Sequence, residues 1–114
     1  MNLITKKIGS VIVLELDGNI LGGPESVEIN QNLIKFIEEG TKKFIIDLSK
    51  VNVMNSSGLG TLIASLTAIK KNGGELKIAG ANSKIQSLFT VTKLNTIFEL
   101  SESSDKALQL FQES

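Results

Sequence analysis

The residues with the means to do chemistry gather in one stretch, Asp47 to Gly60, which reads DLSKVNVMNSSGLG. It combines two adjacent hydroxyls, Ser56 and Ser57, with the amide of Asn55, the carboxylate of Asp47 and the ammonium of Lys50. A serine nucleophile needs a base and a set of oxyanion donors. The chain has no histidine, so only Lys50 or Asp47 stands near enough in sequence, and no oxyanion arrangement can be read from either. The serines are therefore read as groups acted upon or contacted, and no catalytic residue is assigned. Serine is also a favoured helix cap, so the same pair fits a helix start, with one serine capping and the other exposed.

The missing residue types narrow the chemistry further. Among 114 residues, 12 lysines balance 12 acids, and His, Cys, Arg, Trp and Tyr are all absent. Thiolate and imidazole chemistry, zinc sites of the usual kind and disulfides go with them. Only an oxygen-ligand site for a hard cation stays open in principle, and neither metal nor cofactor is assigned. Without Arg there is no bidentate clamp for phosphate, and zero formal charge argues against a nucleic-acid surface. Gly58, Leu59, Gly60 and Thr61 stop short of a dinucleotide fingerprint because Ile63 takes the place of its last glycine. No apolar run is long enough to span a bilayer, and Met1 to Lys7 lacks a signal-peptide layout, so a cytoplasmic protein with no membrane insertion is expected. Length and composition fit a single domain over residues 1–114.

Around that stretch the periodicity supplies the elements that must hold it. Leu3 to Ile8 and Val11 to Leu16 flank Gly9 and Ser10 and read as a β-hairpin. Gly22, Gly23 and Pro24 open a helix running to about Glu39, with Val27, Asn30, Ile34 and Ile37, and Leu33 beside them, as its inner stripe and Gly40 as its cap. Lys43 to Leu48 carries an unbroken apolar run and reads as a central strand covered on both faces. A helix from the serines to Asn72 follows, with Leu59, Leu62, Ile63, Leu66 and Ile69 at helical spacing. Glu75 to Ala79 is a strand, and Ser83 with Gln86 makes a capping box for a helix carrying Ile85, Leu88 and Phe89. Ile97 to Leu100 reads as the last strand. Ser103 or Ser104 then caps a terminal helix that turns Ala107, Leu108 and Phe111 inward and leaves Leu110 off the stripe as a candidate subunit contact. The order ββαβαβαβα implies an α/β fold with a mixed, mostly parallel sheet, an N-terminal hairpin edge and packed helices. In such sheets, sites gather at the carboxyl ends of the strands, where both serines fall.

The string Met54, Asn55, Ser56, Ser57, Gly58, Leu59, Gly60, preceded by a strand ending in Asp47, Leu48 and Ser49, resembles the signature of the STAS domain, specifically of the bacterial anti-sigma factor antagonists. The element order and the length resemble that family too. The resemblance implies a regulatory, non-enzymatic domain whose unmodified form captures an anti-sigma factor and frees a sigma factor. It implies that a partner serine kinase phosphorylates Ser56, with Ser57 as second choice, that this breaks the contact, and that a serine phosphatase restores it. Asn55, Ser56, Ser57, Gly58 and Leu59 then belong to the partner-binding group, and Asn19, Leu21 and Gly22 join it from the loop after the second strand. Asn55 stands where the family more often has Asp, which keeps the hydrogen-bonding shape without the charge. STAS-like domains also serve as scaffold subunits of signalling or transport assemblies without a phosphorylation cycle, and this is the alternative reading.

Elementary electrostatics accommodates such a modification. The first amides of a helix lack internal partners and carry the positive end of its dipole, so a phosphoryl group on Ser56 gains about 0.3–1 kcal/mol there. A partner that had buried the neutral hydroxyl would instead have to desolvate about two negative charges. Switching on this basis needs no refolding. Gly58 and Gly60 admit two readings at this stage, close approach of a partner or tight packing of the helix on its sheet.

Overall fold

The computed structural model describes residues 2–113. Five strands form one sheet in the order β1 (Asn2–Ile8), β2 (Val11–Asp17), β3 (Lys43–Lys50), β4 (Glu75–Ala79), β5 (Glu99–Ser101). The hairpin β1–β2 is antiparallel, with Ile8 opposite Val11, and every later pairing is parallel. The helices are α1 (Pro24–Glu38), α2 (Ser56–Lys71), α3 (Ser83–Val91) and α4 (Ser104–Glu113). This is the expected mixed α/β fold with the order ββαβαβαβα. None of the described helices is long and apolar enough to cross a membrane.

The central strand shows why the sheet is sandwiched. Phe44, Ile45 and Ile46 of β3 are all fully buried, so both faces of this strand must be covered. One face, with Ile12, Leu14, Leu16, Phe44, Ile46 and Ile78, packs against Ile29 and Leu33 of α1, Leu62 and Ile69 of α2, and Ile85 and Phe89 of α3. The opposite face, with Val11, Val13, Ile45 and Ala79, is covered by Ala107 and Phe111 of α4. Beneath α4, Lys77 is buried, pairs with Glu99 and holds its ammonium 4.7 Å from the centre of the Phe111 ring. Terminal-helix packing therefore combines apolar burial with a cation over an aromatic face.

Three local expectations need correction, and a fourth, left open between two residues, is decided. The inner stripe of α1 is Ile29 and Leu33, flanked by partly buried Phe36 and Ile37, whereas Val27 and Ile34 are 57% and 51% exposed. Val27 is two residues from Ile29, about 200° around the helix, and so faces solvent once Ile29 faces the sheet. The cap of α3 is Asn82, whose Oδ1 accepts from the Ile85 amide at 2.9 Å, in place of the Ser83–Gln86 box. The last strand begins two residues later than expected, after a 3-10 turn at Leu94–Thr96 that leaves Ile97 half exposed. Of the two candidate caps of α4, Ser103 takes the role, its Oγ accepting from the Lys106 amide, and Ser104 donates to Asp47 Oδ2 at 2.5 Å.

Candidate functional site

The site is built where β2 and β3 run out of the sheet side by side. Their ladder slips beyond the Glu15–Asp47 pair, but the two chains remain bonded past the strand ends. The Gly18 amide donates to the Lys50 carbonyl at 3.2 Å, the Ile20 amide to the Val53 carbonyl at 3.0 Å, and the Asn55 amide to the Ile20 carbonyl at 3.4 Å. Ile20 and Met54 form an isolated parallel bridge, and both side chains are buried. Extended chains alternate their side chains. The neighbours Asn19, Leu21, Val53 and Asn55 therefore fall outward, and all four are exposed, Leu21 and Val53 at 46% and 48%.

This paired extension delivers the chain to α2 with Asn55 as its cap. Asn55 Oδ1 accepts from the Gly58 amide at 2.8 Å, and the Asn55 carbonyl accepts from the Leu59 amide at 2.9 Å. The expectation that one of the serines caps the helix is corrected: the amide side chain does it, leaving Ser56 and Ser57 as the first two helical residues, both exposed. Asn55 also donates through Nδ2 to the Leu21 carbonyl at 3.4 Å, a contact that an aspartate in its place could not make.

The loop between β2 and α1 is fixed against α2 by its own chemistry. Glu25 Oε1 accepts from the Leu21 amide at 2.7 Å and the Gly23 amide at 3.0 Å, and these bonds hold its carboxyl below the usual carboxylate range. Ser26 and Thr61 share a hydroxyl–hydroxyl bond of 2.5 Å that joins α1 to α2. Gly22, at φ +84°, abuts Ser57. Ser57 is thus partly engaged by the loop, while Ser56 stands on the open side of the helix end.

The glycines separate into two roles. A Cβ at Gly58 would run into the Ile20 carbonyl oxygen, so this glycine is there for packing against the loop, whereas nothing lies within 4 Å of a Cβ on Gly60. Leu59, expected among the partner contacts, is 3% exposed and belongs to the core; this is a correction, because helical periodicity turns it inward beside Leu62. The structure therefore brings Asn19, Leu21 and Gly22 together with Asn55, Ser56, Ser57 and the backbone of Gly58. Val53 was missed by the sequence reading, because alternation from Val51 would turn it inward, and only the pairing of Met54 with Ile20 shows that it faces out. Asp47, the only nearby carboxylate considered as a base, lies on the α4 side of the sheet, where Ser49 and Ser104 occupy both its oxygens. Among the described residues, no group of three His, Cys, Asp or Glu is placed to hold a metal ion.

Comparison with known proteins places this geometry in a family. The model of the STAS domain matches residues 2–107. The chain belongs to the STAS domain family. A relative from Staphylococcus aureus, an anti-sigma-B factor antagonist, is 31% identical over 78 residues, covering 68% of this chain and 72% of its own. The STAS fold here is also similar to the crystal structure of an anti-sigma factor antagonist from Mycobacterium paratuberculosis, with TM-score 0.83 and 22% identity over 96% of this chain and 92% of that one. The Bacillus anti-sigma factor antagonist SpoIIAA has been solved in both unphosphorylated and phosphorylated forms. The unphosphorylated form matches with TM-score 0.76 and 13% identity over 97% of this chain and 98% of its own. The phosphorylated form matches with TM-score 0.77 and 14% identity over 96% and 99%.

Proposed function

We propose that this STAS domain is an anti-sigma factor antagonist that works by partner switching and catalyses nothing itself. Unmodified, it captures an anti-sigma factor that is also a serine kinase, and a sigma factor is released. The kinase moves the γ-phosphoryl group of ATP to Ser56 Oγ: the bond to ADP breaks, the Oγ–P bond forms, and the hydroxyl proton leaves to a base of the kinase. A serine phosphatase hydrolyses the ester and restores the hydroxyl.

The observation that carries this reading is the exposed hydroxyl of Ser56 at the first position of α2, directly after the cap Asn55, with the exposed Leu21 and Val53 on the paired segments that lead to it. An apolar pair leading to a titratable ester suits a contact made when the hydroxyl is bare and lost when it is charged. The relative from Staphylococcus aureus supports the role, and the existence of SpoIIAA in both forms supports a fold that tolerates the modification. The chain acts in the cytoplasm, where sigma factors and ATP are both at hand.

The test is a pair of substitutions. Ser56→Ala is expected to be captured by the anti-sigma factor kinase and to resist switching by ATP, and Ser56→Asp to be captured more weakly with nearly unchanged thermal stability. Equal capture of wild type before and after ATP, with no phosphoryl group found on Ser56 or Ser57 by mass spectrometry, would favour a scaffold subunit instead.

A further inference from the structure

Asn82 lies between β4 and α3, away from α2, yet its side chain works in two directions. Its Oδ1 accepts from the Ile85 amide at 2.9 Å and caps α3. Its Nδ2 donates to the carbonyls of Val51 at 3.2 Å and Asn52 at 3.1 Å. Those carbonyls begin the stretch 51–55 that leads from β3 to Ser56 and belongs to no helix or regular strand. On its far side the same stretch is held by the Ile20 amide on the Val53 carbonyl and by Asn55 Nδ2 on the Leu21 carbonyl. It is thus clamped between the loop after β2 and the start of α3.

A cap needs only an acceptor, which Ser or Asp would supply as well. Bonding two carbonyls while accepting from the Ile85 amide takes two donor protons and an acceptor, and among the short capping side chains Asn alone has all three, since a hydroxyl has one proton to give. We infer that Asn82 is a positioning residue for the partner-facing surface: from the start of α3 it fixes stretch 51–55, and with it the presentation of Val53 and Ser56. This rests on the function proposed above for that surface.

Two substitutions separate the cap from the clamp. Asn82→Asp keeps the acceptor for the Ile85 amide but turns a carboxylate toward two carbonyls, and Asn82→Ser keeps a capping hydroxyl that is too short to bridge. In hydrogen exchange on the full chain, both variants should exchange the Val51, Asn55 and Ile20 amides about tenfold faster than wild type, with Ile85 unchanged. Titrated against a purified anti-sigma factor kinase that captures wild type, both should bind at least about fivefold more weakly at a near-normal thermal midpoint. Wild-type exchange in stretch 51–55 of both variants, or faster exchange there with unaltered capture, overturns the inference. Failure of wild type to be captured by any such kinase overturns the functional reading instead, and the exchange result still decides whether Asn82 holds the stretch.

Discussion

Gly22 lies against Ser57 so closely that a Cβ built on the glycine would stand 2.5 Å from the serine Cβ. The loop after β2 therefore touches α2 one residue beyond Ser56, and the two halves of the surface are registered through a glycine at φ +84°. Gly22→Ala meets both a strained backbone and a steric overlap. It should lower stability by about 1–3 kcal/mol and weaken partner capture, as read by urea unfolding and by titration. A variant unchanged in both would show that the loop yields freely.

Gly58 and Gly60 are two residues apart on the same helix and should respond in opposite directions. Gly58→Ala drives a methyl into the Ile20 carbonyl and should destabilise by about 1–3 kcal/mol. Gly60→Ala enters open space in a helix interior and should stabilise by about 0.5–1 kcal/mol. Thermal unfolding of the two variants checks both signs at once.

Asp47 gives the fold a dependence on acid. Burial alone would push its carboxyl up, but the hydrogen bonds from Ser104 Oγ and the Ser49 amide, with a smaller pull from Lys6, hold it below its ordinary value. A carboxyl lowered in the folded state contributes stability in full above the unfolded value of about 3.9, and loses it as pH falls through the folded value. Asp47→Asn should therefore be less stable than wild type at pH 7, with the gap closing as the pH is taken below about 4. Urea midpoints measured across that range test it; a gap constant with pH would contradict the bond to Ser104.

The first four strands were legible because their apolar runs stop at turn residues, and the unbroken run at Phe44, Ile45 and Ile46 announced a strand covered on both faces, whereas the short last strand, Glu99–Ser101, has no such run and was placed two residues early. The helix α1 was harder. It carries Val27 and Ile34 on one side and Ile29 and Leu33 on another, and only packing on the sheet decides between two apolar stripes of similar length. At the site, the string around Ser56 located the helix start, yet Asn55 and not a serine caps it, since side chains with similar capping strength sit in sequence. Leu59 was placed at the surface by its neighbours in the string and in the core by its periodicity; periodicity won. Asn82 could not be read as a support at all, because the carbonyls it reaches lie 31 and 30 residues away along the chain.

The central claim is that the state of one hydroxyl, Ser56, decides whether a partner binds while the fold stays the same. Calorimetric titration of an anti-sigma factor kinase into the bare protein and into protein homogeneously phosphorylated on Ser56, with thermal midpoints of both forms, tests it most directly. The account predicts that phosphorylation weakens binding by about a hundredfold or more, equivalent to about 2.7 kcal/mol, while the midpoint moves by only a few degrees at most. Equal affinity for the two forms, or loss of binding that tracks loss of folded structure, would contradict it.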